Sequence, residues 1–388
     1  MFGNTRLDAH QQTVPVDANP KTLGGCTYRA SLTDFLFVTR VYIIGAGLAG
    51  LSAAVTLSRS GRAVALYEAS GQAGGRCRSF FDTSLNRVID NGNHLLLTGY
   101  QYTMSYLRDI DAVDALVGPT PASFPFLDLR TGQRWSLQPS EGRIPWWILD
   151  PRRRVPGTRL WDYRSGLGFA VAGSGRTVSD CGGDRGALIE KFWEPLAIAT
   201  LNSPLQTGAA SLLWPVLREI LGGGEAACRP RIARTGLSPT FVDPAIALLH
   251  RHGAHVRFGT RLRTITYEDA KARVLDFGTE TVALEDGDSV VLALPPQAAM
   301  NLVPDLTVPE ESHAIINAHF RLPEVKSLPA GLPFLGLIGG TATGSTGYLL
   351  AAGSPIVMPE LRCMILSGLN EYDFRARHLV VTNDSKIE

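Results

Sequence analysis

Gly45, Gly47 and Gly50 fall in G-x-G-x-x-G order, and Glu68 follows about twenty positions later. That spacing suits one kind of chemistry, the holding of an ADP-containing dinucleotide. The first glycine permits a tight turn, the second lets a pyrophosphate approach bare backbone, and the third lets a helix pack closely on a strand. Ala46, Leu48 and Ala49 complete the turn, whose backbone N–H groups would face the phosphates. Glu68, with Ala69 beside it, stands where a carboxylate accepts a ribose hydroxyl and repels a 2′-phosphate. FAD and NAD fit that acid; phosphorylated dinucleotides do not. Gly74, Gly75 and Arg76 add a second bare turn ending in a guanidinium, a fork that matches phosphate oxygens. NAD dehydrogenases do not need this second turn.

The elements that must position these groups surround them. Residues 38–44 are apolar and β-branched and predict a strand entering the first turn. Ala53, Ala54 and Leu57 continue as the buried face of a helix that Gly61 ends, and residues 64–67 predict the next strand. Another strand leads into Asp90-Asn91-Gly92-Asn93-His94. Residues 101–117 carry helical spacing at Met104, Leu107, Ile110 and Val113, and residues 124–137 alternate around Thr131-Gly132 as a hairpin. Residues 187–201 predict a helix interrupted before Pro195, and 208–222 and 239–252 predict two more. A strand over 253–258 and a hairpin return from 261–265 to 289–294 complete the pattern.

The composition is that of a globular chain with a large core: 388 residues, 45% hydrophobic and 19% charged. A net charge of +1 gives no electrostatic case for nucleic acid. The five cysteines are scattered, with neither C-x-x-C nor metal-ligand spacing, so no metal site and no disulfide scaffold are expected, and a reducing cytosol suits them. Cys77, next to Arg76, reads as a small filler. No apolar run is long enough to span a bilayer. Residues 1–37 are polar, lack the apolar core of a signal peptide, and are expected to be a disordered leader. The expected place is the cytoplasm, with one question left open by residues 143–175. Trp146, Trp147, Trp161, Tyr163 and Phe169 stand there among Arg152, Arg153 and Arg154. They read either as a helical subdomain with solvated arginines, or as an apolar patch with a basic rim for peripheral contact with an anionic membrane face.

The order of these segments resembles the FAD-binding half of the flavin amine oxidase and phytoene desaturase superfamily. Within it, Lys191-Phe192-Trp193-Glu194-Pro195-Leu196, running on to Asn202-Ser203-Pro204, is similar to a segment of the hydroxysqualene dehydroxylases, also called squalene-associated FAD-dependent desaturases. The turn from Asp90 to Leu97, followed by Tyr100, fits the same group, and the resemblance spans residues 38–340. It implies that Asn91, Gly92, Asn93 and His94 run near the flavin ring and that the backbone around Leu262 lies against the adenine. It also implies a reaction of hopanoid biosynthesis, the reductive removal of the hydroxyl of hydroxysqualene to give squalene. Reduced FAD is then the hydride source, and the reductant that recharges it is unidentified. A cyclopropylcarbinyl or allylic C–O bond ionises to a stabilised cation, so the protein's part is to exclude water in a long apolar cavity. Carotenoid or phytoene desaturases and amine oxidases use the same scaffold and are the alternative enzymes. Glu194 either polarises the departing hydroxyl or serves the helix break structurally; no catalytic residue is assigned.

The expected fold is α/β, a Rossmann-like FAD-binding domain from residues 38–100 and 225–296, with an inserted mixed α+β substrate domain from 101–224 and 297–343. Residues 344–388 depart from the resemblance. Relatives carry there a second flavin segment, a Gly-Asp after a strand and then a glycine-containing helix. This chain shows neither and reads as polar filler from 370 onward. A truncation or frameshift near residue 343 would produce such a tail and adds a third reading, an inactive FAD-binding remnant.

Overall fold

The computed structural model describes residues 39–309 other than 93, 129, 130, 174, 184 and 185, together with His319 and three strands, Gly336–Ile338, Cys363–Ser367 and His378–Thr382. The leader over 1–37, Asn93 and most of 344–388 lie outside the described residues.

A parallel sheet forms the base of the fold. Strand β1 (Arg40–Ile44) enters the glycine turn, helix α1 (Leu48–Arg59) leaves it, and β2 (Ala63–Tyr67) returns beside β1. Helix α2 (Asp243–Arg251) delivers the chain to β3 (His255–Arg257), and β4 (Ser289–Leu292) closes the other edge. The order is β3-β2-β1-β4, all parallel. Both faces of β1 are buried because alternate side chains enter different cores. Val41 and Ile43 pack with Leu51, Val55 and Leu249 under the helices, whereas Tyr42 and Ile44 pack with Leu262, Leu275 and Phe277. The second core lies under an antiparallel meander of Thr264–Glu268, Lys271–Asp276 and Thr281–Ala283.

The helix expected over 101–117 stops at Asp109. Asp111 takes φ of 57°, a left-handed turn that Asp tolerates better than most residues, and Leu116–Val117 then pairs as a strand with Pro230–Ala233. The hairpin expected over 124–137 forms from Phe124–Asp128 and Arg134–Leu137.

Pro195 does not interrupt its helix. A π turn over Ile189–Trp193 runs straight into Glu194–Leu201, with the Glu194 N–H donating to the Ile189 carbonyl. Residues 238–251 repeat the device: a π turn over Ser238–Val242, an Asp243 N–H donating to the Ser238 carbonyl, and Pro244 next. In both, an acid-proline pair follows a widened turn. Proline lacks an N–H, so the ladder must skip a donor there, and the wider turn just before it absorbs the skip without a break. Residues 370–388 are not filler throughout, because His378–Thr382 is a strand paired antiparallel with Cys363–Ser367.

Candidate dinucleotide cradle and apolar pocket

The G-x-G-x-x-G turn sits at the C-terminal ends of β1 and β2, where the Gly45 N–H donates to the Tyr67 carbonyl at 2.7 Å. Gly45 has φ of 102°, and a Cβ on it would stand 2.5 Å from the Ala293 carbonyl oxygen. A Cβ on Gly50 would stand 1.8 Å from the Gly45 carbonyl oxygen. The fold itself therefore excludes side chains at both positions. Gly47 is different. Its φ is an ordinary −70°, and a Cβ there would meet nothing within 4 Å. Nothing among the described residues requires its bareness, so the space above it suits a ligand.

Helix α1 starts beside that space with no side-chain cap and no acid in its first turn, and Leu48 and Ala49 are exposed. Its first N–H groups have no acceptor within the helix. Unpaired donors at a positive dipole end fit a pyrophosphate. The second glycine turn lies against the first. Gly47 and Gly74 form a parallel bridge, the Gly74 N–H donates to the Ala46 carbonyl at 2.8 Å, and a Cβ on Gly75 would come 3.2 Å from the Gly47 Cα.

Glu68 stands at the end of β2 with its carboxylate already oriented. One oxygen accepts the Ala46 N–H at 2.8 Å; the other accepts the Ser70 N–H and hydroxyl at 2.8 and 2.9 Å. A carboxylate has about four acceptor sites, so one remains for a ribose hydroxyl. Exposed Ala69 lies between two backbone bonds to the crossing segment, Thr260 N–H to the Glu68 carbonyl and Gly259 N–H to that of Ser70. The Leu262 side chain, two residues on, is buried under the meander. FAD's ADP half is therefore matched by the residues present.

Arg76 leaves the second turn exposed, with no ion-pair partner among the described residues. Its carbonyl accepts the Asn91 side-chain amide at 3.0 Å, and the Asn91 N–H donates to the Arg78 carbonyl at 2.9 Å. Gly92 is buried next to it. Asp90 fixes the base of this turn by accepting from the Ser79 hydroxyl and the Leu237 N–H. Burial pushes the His94 imidazole below its ordinary value, against the pull of Asp90 and with the help of Arg76, so it is neutral at pH 7. Burial pushes the Cys77 thiol up to about 12, which makes it the inert filler expected.

The chain leaving His94 becomes the wall of a half-open apolar pocket with a cavity volume of about 140 Å³. Leu95 and Leu97 line it, while Leu96 between them packs into the sheet core, as strand alternation requires. Phe124, Phe126 and Leu137 come from the hairpin. Phe192, Pro195, Leu196, Ala199 and Thr200 come from the π turn and its helix, and Val216, Leu217 and Ile220 from helix Ala210–Ile220. Three lining residues carry a polar side-chain group: Tyr100, Thr200 and Cys228. Two have spent their hydrogen. The Thr200 hydroxyl donates to the Leu196 carbonyl at 2.8 Å, and the Cys228 thiol to that of Ile220 at 3.2 Å. The Tyr100 hydroxyl has no hydrogen-bond partner among the described residues, and burial, with the Glu219 charge adding to it, raises its pKa. Glu194 does not line the pocket; it sits at the start of its helix, and Lys191 turns away to Gln133 and the Trp135 ring.

Most of this pocket gives no sign in the sequence. Phe124, Val216, Ile220 and Cys228 gave no sign beyond apolar spacing on separate segments, which ordinary core residues share.

Comparison with known proteins bears on both sites. The sequence model of the flavin containing amine oxidoreductases matches residues 48–325. The chain is 47% identical over 301 residues to the hydroxysqualene dehydroxylase of Sinorhizobium fredii, covering 77% of this chain and 71% of that one. It is 44% identical over 302 residues to the enzyme of the same name from Rhodopseudomonas palustris, again 77% and 71% of the two chains. The tail has a different likeness. Residues 315–388 match the model of the ATP-NAD kinase C-terminal domain. A stretch of 53 residues is 45% identical to the NAD kinase of Methanopyrus kandleri and spans 19% of its length.

Proposed function

Because the chain belongs to the hydroxysqualene dehydroxylases, among the flavin containing amine oxidoreductases, we propose that it is an FAD-dependent oxidoreductase replacing the hydroxyl of hydroxysqualene by hydrogen to give squalene. The observation that carries the reading is the pocket that begins where the His94 turn ends. It is walled by leucine, phenylalanine and proline and offers one hydroxyl uncommitted among the described residues, which suits a polyprenoid alcohol. In this reading 38–100 with 225–296 hold FAD, and 101–224 with 297–343 hold substrate against Leu95, Leu97, Tyr100 and Cys228 of the first. Gly45, Gly47 and Gly50 with the first turn of α1 would take the pyrophosphate, Glu68 the ribose, Arg76 a phosphate, and the turn from Asn91 to His94 the ring side. When bound in reduced form, FAD supplies the two electrons and the hydrogen that take the hydroxyl's place.

The chain's own residues do the rest. The Tyr100 hydroxyl, kept protonated by its raised pKa, would donate to the substrate oxygen as its bond to carbon weakens. The apolar wall keeps bulk water from the developing cation. Neutral His94 adds no competing positive charge beside the flavin site. Substrate of this class resides in bilayers, so the reading includes peripheral membrane contact from the cytoplasmic side. No described helix is long and apolar enough to cross a membrane.

The test is an anaerobic assay of purified protein with FAD, a reductant and hydroxysqualene, following squalene by mass spectrometry and bound flavin by absorbance. Squalene in proportion to bound flavin is the expected outcome. Yellow protein that instead desaturates a carotenoid precursor or oxidises an amine would overturn the substrate assignment. One observation favours a second reading. Where relatives carry a second flavin segment, residues 315–388 resemble another family, and in this second reading FAD is held without a complete ring-side wall. Yellow protein inert toward every substrate would establish that remnant.

A further inference from the structure

Three short elements between residues 144 and 170 share one construction. Each turns one aromatic residue inward, Trp147 and Phe169 buried and Tyr163 half-buried, and a large apolar neighbour outward. In the turn Trp146–Ile148, Trp147 is 2% exposed and Trp146 57%. In the turn Leu160–Arg164, Tyr163 is held inward, its hydroxyl accepting the Val155 N–H at 3.0 Å, while Trp161 is 74% exposed. In helix Ser165–Ala170, Phe169 is buried and Leu167 is 70% exposed. The inward rings form one connected series. Tyr163 meets Trp147 at 5.6 Å, Trp147 meets Phe192 at 6.4 Å, Phe192 meets Trp193 at 4.8 Å, and Trp193 meets Phe169 at 5.0 Å. The Trp193 indole also donates to the Ser165 hydroxyl at 3.0 Å. Trp146, Trp161 and Leu167 are therefore projected by a single rigid aromatic unit, the one that also supplies Phe192 to the pocket.

Two exposed tryptophans and a leucine mounted on one unit make an apolar surface that suits a partner. The charges around them say which. Arg143, Arg159 and Arg164 are exposed, flank Trp146 and Trp161 in the chain, and have no ion-pair partner among the described residues. Of the nearby acids, exposed Glu141 has no partner among the described residues, and two are engaged. Asp150 takes the Arg152 N–H and guanidinium, and Asp162 takes the Arg159 N–H. Isolated apolar tips on separate turns do not form a groove for a peptide. Indoles beside unpaired guanidiniums match the boundary between headgroup phosphates and acyl chains.

We propose that the outward face of Trp146, Trp161 and Leu167, with Arg143, Arg159 and Arg164, docks on an anionic bilayer and holds the pocket beside the phase that contains its substrate. Docking itself stands on the exposed rings and unpaired charges; its use in delivering substrate rests on the dehydroxylase reading. Trp161 and Leu167 would insert at the acyl boundary, and the arginines would bind lipid phosphates.

The test is co-sedimentation of the full FAD-loaded chain with phosphatidylcholine vesicles, either pure or containing about a third phosphatidylglycerol. The expected result is binding to the anionic vesicles, weaker by about tenfold or more on neutral ones. Two variants divide the contributions. Trp161→Ser with Leu167→Ser removes insertion, and Arg159→Glu with Arg164→Glu reverses the charge. Each is expected to lower binding by about tenfold or more while keeping bound flavin and the unfolding midpoint of the parent. No sedimentation of the parent with either vesicle overturns the proposal, and so does unchanged binding by both variants. None of these readouts needs turnover, so a failed squalene assay with intact vesicle binding would sink the reaction and leave the surface standing.

Discussion

The dinucleotide cradle and the aromatic unit beside the pocket are built by opposite means. The cradle is made of backbone and of side chains that are missing: Gly45, Gly50 and Gly74 each leave no room for a Cβ. The aromatic unit is made of side-chain volume, with Trp147, Phe169, Phe192 and Trp193 in edge or tilted contact. Backbone-built sites are intolerant wherever one methyl meets a carbonyl that cannot move. Volume-built sites depend on a sum, and several residue choices reach the same total. The comparison can be broken most sharply inside the cradle. Gly50→Ala would place a methyl 1.8 Å from the Gly45 oxygen. We expect a loss of at least about 3 kcal/mol of stability and no retained flavin, read by chemical unfolding and the flavin-to-protein ratio. Gly47→Ala should behave otherwise. Its φ of −70° suits alanine and its methyl meets open space. The FAD-free protein should unfold within about 0.5 kcal/mol of the parent, with FAD affinity lowered about 100-fold in a binding titration. Equal stability losses in the two variants would show that Gly47, like Gly50, serves the fold and not a ligand.

A smaller effect is expected where a charge, and not a missing side chain, fixes the backbone. Buried Glu225 accepts the Ala122 N–H at 2.7 Å and holds the Arg229 guanidinium at 2.9 Å, joining two segments behind the pocket. Hydrogen bonding from Arg229, with help from the Ala122 N–H, holds its carboxyl below the usual range against the opposing effect of burial. A depressed carboxylate contributes stability above its unfolded value of about 4.3 and loses it as pH falls through the folded one. Glu225→Gln should therefore cost about 2 kcal/mol in urea unfolding at pH 7, and the gap to the parent should narrow below about pH 4. A gap that stayed constant with pH would assign the role to packing.

The same contrast explains what the sequence disclosed. Gly45, Gly47, Gly50, Glu68 and Gly74 were legible because a turn needing bare backbone admits few residues, so spacing alone marks it. The hairpin over 124–137 was legible from its alternation and its Thr-Gly turn. The pocket was not, because its walls come from four segments distant in sequence and each reads as ordinary core. The proline rule failed at Pro195 for a local reason, since the widened turn ahead of it keeps the helix whole and brings Phe192 and Leu196 to the same wall. The outward turn of Trp146 beside buried Trp147 was beyond reach as well. Adjacent identical residues take opposite fates only through the three-dimensional packing of one of them.

Tyr100 offers the finest discrimination between the two modes of construction, because its ring belongs to the volume and its hydroxyl does not. Tyr100→Phe keeps the ring packed against Ile220 and Cys228 and removes one donor. Thr200 and Cys228 cannot replace it while their hydrogens are held by the Leu196 and Ile220 carbonyls. An alcohol entering the variant pocket would leave its oxygen without a donor, a loss of about 1 kcal/mol or somewhat more. Squalene has no hydroxyl and should bind as before. The quantity to measure is therefore a ratio, the affinity for the alcohol over that for the hydrocarbon, titrated into protein carrying oxidised FAD so that nothing turns over. We expect that ratio to fall about fivefold to tenfold. For the parent it should stay level through neutral pH and decline only at alkaline pH, because burial holds the phenol above its ordinary value and the donor is lost only on deprotonation. Equal losses for both ligands would mean that the ring had shifted and that volume alone governs the pocket. An unchanged ratio would mean that the alcohol's oxygen rests against some other group, and Tyr100 would then be wall and nothing more.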